Sequence, residues 1–425
     1  MKICVLGLGY IGLPTAVMFA KHGLDVHGVD VNEDVVEMLQ NKQLHIEEPG
    51  LQEAMSEVID QKKFTVSTSP AKADAYIIAV PTPITKDKTA DLNYVRSATE
   101  MVLPYLEKGN LVVLESTVPP RTVEDIMLPI LKQTEWKIGE ELFVSHSPER
   151  VLPGKLFEEL VSNDRVVGGI NERSAQMTAE LYKTFVQGKI HLTDATTAEM
   201  VKLMENTYRD VNIALANELA LIAERIGFNV WEAIELANCH PRVNIHKPGP
   251  GVGGHCIAVD PWFIIEQARE ESRLISLSRD INDTAPHRVV YTIEELVKDK
   301  AKPVISIFGL AFKGNIDDMR ESPSLEVIQR LNNVGYNLKI YDPHVKKDIE
   351  GKVSSVEEAV RHSDCLVILT DHNQFKTMDF NRIKSLMRTP LIYDTRNILI
   401  RDKVESAGME LVQIGSPVTR FISVG

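Results

Sequence analysis

The chain has 425 residues, of which 44% are hydrophobic and 25% are charged. These proportions are ordinary for folded globular proteins, so they exclude intrinsically disordered and fibrous classes. Lys and Arg number 47 against 60 Asp and Glu, and the resulting net charge of −13 excludes a general nucleic-acid-binding surface. The four cysteines show no Cys-x-x-Cys spacing and predict no disulfide framework, which favours a reducing, cytoplasmic location.

The uncharged stretch of residues 3–20 has the length of a short membrane span or a signal peptide. Its three regularly spaced glycines and Pro14 argue against a helix buried in lipid, and charged residues follow at once. We therefore interpret the stretch as a strand, a turn and a helix, and we expect no membrane partner.

Short apolar runs alternate with helical segments through residues 1–195. The runs predict strands at Lys2–Leu6, Leu24–Val29, Ala75–Val80, Leu111–Leu114, Leu142–Ser145 and Arg165–Val167. Uninterrupted apolar strands separated by helices are typical of a parallel sheet covered on both faces. The pattern predicts a doubly wound, Rossmann-like domain.

The remainder of the chain predicts a central helical domain over residues 196–300 and a second α/β domain over residues 301–425. Apolar residues at steps of three, four or seven from Thr196 to Ile226 predict one long helix, which would join domains or form an oligomer interface. Strands are predicted at Val304–Phe308, Asn337–Tyr341, Cys365–Leu369 and Leu391–Tyr393. The fold class is therefore α/β, with two Rossmann-like doubly wound domains joined by a long central helix and a small helical domain. We find no motif repeated between the two α/β domains.

The first predicted turn has the spacing G-x-G-x-x-G, in the sequence Gly7-Leu8-Gly9-Tyr10-Ile11-Gly12. It follows an apolar strand and opens a helix, and Asp30 ends the next strand, which is the arrangement of a dinucleotide site. Gly9 would let the backbone approach a pyrophosphate at the helix N-terminus. Asp30 would accept from ribose hydroxyls and repel a 2′-phosphate, so NAD is favoured over NADP.

Three further loops follow predicted strands: Pro81-Thr82-Pro83, Ser116-Thr117-Val118-Pro119 and Ser147-Pro148-Glu149-Arg150. Ligands of such sheets bind beyond the carboxyl ends of the strands, so we expect these loops to face the cofactor. Ordinary turn chemistry could equally explain each loop taken alone.

A glycine-rich loop at residues 248–256 ends in His255-Cys256, and Asp260 follows four residues later. The glycines would leave room for a ligand beside the thiol, and Asp260 would serve as a base or orient a water. On the long helix, Lys202 and Asn206 share one face. The same residues could instead be a buried structural cysteine with a surface lysine, or a zinc site that combines Cys239-His240 with His255-Cys256. The spacing disfavours zinc, and we predict no metal.

The glycine motif, the long helix, the second α/β domain and the stretch from Gly253 to Pro261 resemble the UDP-sugar 6-dehydrogenases, over essentially the whole chain. The resemblance implies that the C6 alcohol of a UDP-sugar is oxidised twice, with NAD, to a carboxylate. It implies a cysteine that attacks the intermediate aldehyde, and a thiohemiacetal that becomes a thioester before hydrolysis. It also implies a homodimer or larger homo-oligomer, and a role in surface polysaccharide synthesis.

The resemblance implies roles for three sets of residues. The catalytic set is Cys256, Lys202, Asn206, Asp260, Thr117 and Glu149. The cofactor-binding set, which includes the glycine motif, is Gly7, Gly9, Tyr10, Ile11, Gly12, Asp30, Pro81, Thr82, Thr117 and Arg320. The substrate-binding set is Glu149, Arg150, Val151, Lys202, Asn206, Arg242, His246, Gly253, Lys313 and Arg396. In this family, the residue matched by Arg242 reaches into the neighbouring subunit.

Residues 239–245 and 250–263 are most similar to the UDP-N-acetylmannosamine branch of the family. The N-acetylglucosamine branch usually has Leu at the position of Val252 and Pro at that of Ala258, and UDP-N-acetylglucosamine and UDP-glucose stay open as substrates. The UDP-glucose enzymes often carry Arg where this chain has Val35. The residues also leave open a one-step dehydrogenase, which has no use for Cys256, and a non-catalytic NAD-binding redox sensor.

Overall fold

A computed structural model describes residues 1–46, 48–151 and 154–417. It divides into two compact units, the first made of Met1–Glu205 with Trp262–Arg269 and the second of Asn206–Pro261 with the residues from Glu270 onward. Over the described ranges, no helix combines the length and the apolar character that crossing a membrane requires.

The first unit is built on a sheet flanked by helices. Its strands are β1 (Lys2–Leu6), β2 (Asp25–Val29), β3 (Phe64–Ser67), β4 (Ala75–Ile78), β5 (Leu111–Leu114), β6 (Phe143–His146), β7 (Arg165–Gly169) and β8 (Ile190–Asp194). Its helices are α1 (Gly12–Lys21), α2 (Glu33–Gln40), α3 (Leu51–Asp60), α4 (Asn93–Val102), α5 (Leu128–Leu131), α6 (Leu156–Ser162) and α7 (Glu172–Tyr182), with a π-helical segment at Val123–Met127 and a 3₁₀ turn at Leu103–Tyr105. Within the described residues the strand order is β3-β2-β1-β4-β5-β6-β7-β8.

Both faces of this sheet are buried at its centre, which explains why strands such as β4 and β5 are apolar without interruption. Side chains alternate between the two faces of a strand. On β1, Ile3 and Val5 pack into one apolar core. Cys4 and Leu6 pack into a second core on the opposite face. The doubly wound fold is confirmed, with one difference: β6 and β7 pair antiparallel, whereas the other neighbouring strands pair parallel.

The long predicted helix is confirmed as α8 (Ala195–Ile226). The side chain of Asp194 accepts from the backbone N–H of Thr197 at 2.8 Å and so caps the first turn. Gly227, with a φ of +95°, ends the helix in the left-handed conformation that favours glycine. Residues of α8 up to Glu205 belong to the first unit, and those from Asn206 belong to the second.

The second unit combines further helices with a second sheet. The helices that follow α8 in the chain are α9 (Val230–Asn238), α10 (Asp260–Gln267), α11 (Arg273–Val297), α12 (Pro323–Val334), α13 (Val356–Val360), α14 (Phe380–Leu386) and α15 (Arg401–Ser406), with a 3₁₀ turn at Asn373–Thr377. Of these, α10 belongs to the first unit from Trp262 onward. The strands are β9 (Val304–Phe308), β10 (Asn337–Tyr341), β11 (Cys365–Ile368), β12 (Leu391–Asp394) and β13 (Glu410–Gln413). In the described part of the chain they form a parallel sheet in the order β10-β9-β11-β12-β13.

Candidate active site

The strand order of the first sheet reverses between β1 and β4, and the turn after β1 lies at this point. A Cβ on Gly7 would stand 2.6 Å from the carbonyl oxygen of Ala79, and one on Gly12 would stand 1.9 Å from that of Gly7. These two glycines are therefore needed for packing. A Cβ on Gly9 would meet nothing within 4 Å, so space for a ligand lies at this residue. A crevice at a topological switch point is the usual dinucleotide site.

Asp30, directly after β2, is held at the edge of this crevice by backbone donors. Its Oδ2 accepts from the N–H of Leu8 and its Oδ1 from the N–H of Asn32, each at 3.0 Å. Each oxygen keeps a further lone pair for a ribose hydroxyl. Tyr10 of the glycine motif and Val31, the residue after Asp30, are exposed. Asp30 and the open space at Gly9 fit NAD.

The loops after β4 and β5 are joined at the same edge of the sheet. The Thr82 hydroxyl donates to the carbonyl oxygen of Thr117 at 2.6 Å, and Pro81 precedes Thr82. Glu199 on α8 accepts from the backbone N–H groups of Arg121 and Val123, at 2.5 and 2.8 Å. This contact fastens the segment after Thr117 to α8, and sequence reasoning missed it.

The loop after β6 holds Glu149, Arg150 and Val151. Glu149 is 9% exposed and accepts from the N–H of Arg150 at 2.7 Å and from the guanidinium of Arg165. Arg150 also pairs with Glu205 of α8 at 2.6 Å, and Val151 packs against the apolar core. Sequence reasoning missed Arg165, although an arginine at the start of an otherwise apolar strand is a signal for a buried charge partner.

The second unit brings together Asn206 and Asp260, and it places Cys256 at the turn that leads to Asp260. The carbonyl oxygen of Cys256 accepts from the N–H of Val259 at 3.1 Å and of Asp260 at 2.9 Å. Asn206 donates from Nδ2 to Asp260 Oδ2 at 2.5 Å, and both side chains are buried. Arg209, which sequence reasoning missed, donates to the amide oxygen of Asn206 and so fixes the orientation of that amide. Lys202 lies half-buried one helical turn earlier on α8.

The glycines before Cys256 have a different surrounding from the one expected. A Cβ on Gly253 would stand 2.5 Å from the carbonyl oxygen of Glu321, and one on Gly254 would stand 3.0 Å from the ring of Phe312. Protein atoms, rather than an open ligand space, therefore account for glycine at these two positions. The N–H of Gly254 donates to the carbonyl oxygen of Arg320 at 3.1 Å, which places Arg320 beside the loop.

The second sheet has its own switch point, between β9 and β11. Gly309 follows β9 with a φ of +100°, and a Cβ there would stand 2.3 Å from Cβ of Thr370. Asp342, after β10, accepts from the N–H of Leu310 at 2.7 Å, just as Asp30 accepts from Leu8. The expectation that no motif is repeated between the two α/β regions is therefore wrong at the level of geometry. Asp342 differs in being buried against His372, at 3.0 Å.

Two predicted substrate residues lie at this edge of the second sheet, and two lie elsewhere in the second unit. Arg396, after β12, pairs with Asp371 at 3.2 Å, and Lys313 is exposed in the loop after β9. Arg242 is exposed on the loop after α9. The half-buried ring of His246 stands edge-on to Tyr208, 6.2 Å between centroids, and its burial and Arg209 lower the pKa of His246.

The cysteines differ in exposure. Cys4 and Cys365 are buried core residues, and burial raises their thiol pKa values to about 11 and about 12. Burial thus disfavours the reactive thiolate at these positions. Cys239 and Cys256 are exposed. The described residues hold no group of three or more His, Cys, Asp or Glu placed to bind a metal.

All three regions of the chain match domains of the UDP-glucose/GDP-mannose dehydrogenase family: the NAD binding domain over residues 1–186, the central domain over 196–284 and the UDP binding domain over 306–401. A UDP-N-acetyl-D-mannosamine dehydrogenase of Methanococcus maripaludis is 50% identical over 424 residues, 98% of this chain and 97% of that protein. An NDP-N-acetyl-D-galactosaminuronic acid dehydrogenase of Ralstonia solanacearum is 45% identical over 409 residues, 93% and 96% of the two chains. The solved structure of a UDP-D-ManNAc dehydrogenase from Pyrococcus horikoshii is similar with a TM-score of 0.92, at 44% identity and covering 98% and 99%.

Proposed function

The chain belongs to the UDP-glucose/GDP-mannose dehydrogenase family, and from this premise we propose that it oxidises the C6 alcohol of UDP-N-acetyl-D-mannosamine twice, to UDP-N-acetyl-D-mannosaminuronate. One alcohol, two NAD and one water give one carboxylate, two NADH and three protons. The reaction would take place in the cytoplasm. Its product, the uronate, would be used in the synthesis of a surface polysaccharide. The names of the Methanococcus and Pyrococcus relatives favour N-acetylmannosamine, and the Ralstonia relative makes another N-acetylhexosamine the second candidate.

The observation that carries the proposal is the position of Cys256. The residue is exposed at the turn into α10, and that turn ends at the buried Asp260, which Asn206 holds by a hydrogen bond. A single oxidation of an alcohol needs no thiol, whereas oxidation of an aldehyde to a carboxylate is easier through a covalent thioester. Cys4 and Cys365 do not compete because they are buried in strands. Cys239 is exposed, but it follows α9 directly and its Sγ donates to the carbonyl oxygen of Glu235 at 3.4 Å.

Each residue has a defined part in the proposed reaction. NAD, when bound at Gly9 and Asp30, supplies the hydride acceptor. Cys256 Sγ forms a bond to the aldehyde carbon, and the resulting thiohemiacetal loses a hydride to become a thioester. Water then breaks the C–S bond, which releases the carboxylate and restores the thiol. Asp260 would take a proton from that water.

Developing negative charge at C6 needs hydrogen-bond donors in fixed positions. Because Arg209 binds the amide oxygen of Asn206, the amide nitrogen is directed to the Asp260 side and keeps a second N–H for an oxyanion. Lys202 would supply a positive charge from the same helix face. Thr117 and Glu149 would lie around the hydrolytic water and the sugar.

The UDP part of the substrate fits the switch point of the second sheet. Lys313 and Arg396 lie in loops at the carboxyl ends of β9 and β12, where such sheets bind ligands. A lysine and an arginine suit a diphosphate, one as a point charge and the other as a fork of donors. Gly253, Arg320 and His246 would complete the sugar and cofactor contacts.

A homodimer in which Arg242 reaches the partner's site is part of the proposal. Tyr208, Leu215 and Ile222 recur every seven residues on α8 and are 54%, 45% and 38% exposed. An exposed apolar stripe of this kind is typical of an interaction surface, and it supports the proposal that two copies of the chain meet there. Arg242, exposed on the loop after α9, is available to such a neighbour.

Mixed dimers test whether Arg242 acts across subunits. Arg242→Ala and Cys256→Ser each inactivate the homodimer if both residues are needed. In a mixed dimer, the wild-type Arg242 of one subunit would complete the site that holds the intact Cys256 of the other. We expect reassembled equal mixtures to recover about a quarter of wild-type activity. Recovery of none would show that Arg242 acts within its own subunit or not at all.

A comparison of three substrates tests the choice of sugar. We expect kcat/KM for UDP-N-acetyl-D-mannosamine to exceed that for UDP-N-acetylglucosamine and for UDP-glucose by about tenfold or more. Mass spectrometry of the product should show a uronate rather than an aldehyde. A preference for either of the other sugars would overturn the substrate but keep the reaction.

A further inference from the structure

A buried cluster of charged groups supports the loop that carries Glu149. Arg165, the first residue of β7, donates from Nη2 to Glu149 and from Nη1 to Oε1 of Glu115 at 3.1 Å. Tyr182 of α7 donates to the same Glu115 oxygen at 2.9 Å, and its ring centroid stands 4.0 Å from the Arg165 guanidinium carbon. The side chains of Arg165, Glu115 and Glu149 are 5%, 0% and 8% exposed.

Neighbouring groups fix both the guanidinium of Arg165 and the carboxylate of Glu149 with which it pairs. Arg165 Nη1 also donates to the hydroxyl of Ser147 at 3.1 Å, so the planar guanidinium cannot turn without losing two further bonds. The other oxygen of Glu149 accepts from the N–H of Arg150 at 2.7 Å. Both oxygens of the Glu149 carboxylate are thus held.

Charge within the cluster favours Glu149 as the partner of Arg165. The charged and titratable groups that face Glu115 are Arg165 from β7, Tyr182 from α7 and Glu149 from the loop after β6. If both carboxyls were ionised, one buried negative charge would have no counterion, which is unfavourable. Burial raises the pKa of Glu115 to about 7, against the attraction of Arg165. Below that pH Glu115 is mainly protonated, and the guanidinium charge is left to Glu149.

We propose that Arg165 is a positioning residue. Its contacts with Glu115 and Tyr182 fix the guanidinium, and the guanidinium holds the Glu149 carboxylate in the place where it meets substrate and water. This inference rests on the proposed function, because that function gives Glu149 its role. Ionisation of Glu115 weakens the arrangement, since a second carboxylate then competes for the guanidinium.

Glu115→Gln tests the competition, because glutamine keeps the shape and the acceptor oxygen but cannot ionise. The ratio of the kcat of this variant to that of the wild type should be near one at pH 6. It should rise to about threefold or more at pH 8.5, where wild-type Glu115 is ionised. A ratio that does not change between these pH values overturns the competition between the two carboxylates. Tyr76→Phe, at a buried tyrosine of the same unit, is the matched control and should follow the wild-type pH profile.

Arg165→Lys tests the positioning itself, because lysine keeps the charge but not the fork. We expect kcat to fall about tenfold or more while KM for the UDP-sugar changes less than threefold. Arg388→Lys, at an arginine paired with Asp364 in the second unit, should leave both constants unchanged.

Glu149→Gln separates failure of this inference from failure of the proposed function. Wild-type kcat in Glu149→Gln would overturn the role of Glu149. An impaired Glu149→Gln beside a fully active Arg165→Lys would overturn only the positioning role. If Arg165→Lys does not fold, the pH profile of Glu115→Gln still tests whether the guanidinium of Arg165 acts through Glu149.

Discussion

The three glycines of the first turn belong to one motif, yet their surroundings differ. Gly7 and Gly12 are enclosed by backbone atoms, whereas the Cβ position of Gly9 is open. The motif predicts a different part for each glycine: Gly7 in the turn, Gly9 beside a pyrophosphate and Gly12 in close helix packing. The distance from each missing Cβ to its neighbours is consistent with these parts but comes only from the fold.

We expect Gly9→Ala to fold normally and to bind NAD at least about tenfold more weakly, because the added methyl group fills space that the dinucleotide needs. Gly12→Ala should instead lower the unfolding temperature of the protein without ligand, because its methyl group meets the Gly7 carbonyl. Thermal unfolding and NAD titration by fluorescence measure the two effects. Normal NAD affinity in Gly9→Ala would contradict the assignment of the pyrophosphate position.

Asp30 is expected to set the preference for NAD over NADP. In Asp30→Asn the negative charge is lost and one of its two backbone contacts is broken. KM for NAD should rise about tenfold, and the ratio of kcat/KM for NAD to that for NADP should fall. Asp60→Asn, at an exposed carboxylate paired with Lys42, is the control. An unchanged ratio would show that another group rejects the 2′-phosphate.

At the scale of elements, α8 carries two of the six predicted catalytic residues. Lys202, Asn206 and Arg209 lie within two turns of this helix, and Glu199 joins its first turns to the segment after β5. Apolar spacing was sufficient to predict the helix because it repeats over 30 residues. The contact of Arg209 with Asn206 was not predictable, because many arginines on a helix surface point to solvent.

Arg209→Met should reduce kcat about tenfold through Asn206, because its amide is then able to rotate. Arg209→Lys should recover part of the loss, since an ammonium also donates to the amide oxygen. Steady-state kinetics with saturating NAD gives kcat and KM for both variants. Wild-type kcat in Arg209→Met would exclude a positioning role for this contact.

The strands that sequence reasoning missed, β3, β8 and β13, are three of the four outer strands of the two sheets. They mix polar with apolar residues, as in Ile190–Asp194. The mixed strands β2 and β10 were nevertheless predicted. An outer strand has less buried surface, so the apolar signal is weak. The antiparallel pairing of β6 with β7 was missed because an apolar run carries no information about direction.

At the scale of the whole molecule, sequence reasoning identified the family and missed the repeated site geometry. The resemblance to UDP-sugar dehydrogenases is confirmed, and the chain has the NAD binding and UDP binding domains of that family. The equivalence of Asp30 with Asp342 was missed because the second turn, Gly309-Leu310-Ala311-Phe312-Lys313-Gly314, has the spacing of the first motif but Ala in place of its second glycine. The Arg165 cluster was missed for a different reason, since Glu115 and Arg165 lie 50 residues apart.

Acid should destabilise the folded protein partly through His146. This residue is fully buried at the end of β6, and burial lowers its pKa from 6.5 to about 3. As the pH falls below 6.5, the unfolded chain gains a proton that folded His146 does not accept. The free energy of unfolding should then fall by up to about 1.4 kcal/mol per pH unit from this residue. His146→Gln should remove that slope, as measured by denaturant unfolding from pH 7 to pH 4. An unchanged slope would contradict the assignment.

The most direct test of the double oxidation is a count of NADH. Limiting UDP-N-acetyl-D-mannosamine is converted to completion with excess NAD, and NADH is measured by absorbance in the wild type and in Cys256→Ser. We predict two NADH per sugar for the wild type and no more than one for the variant, because the second hydride leaves from a carbon bonded to Cys256. Two NADH per sugar in both proteins, or one in the wild type, would contradict a catalytic role for Cys256.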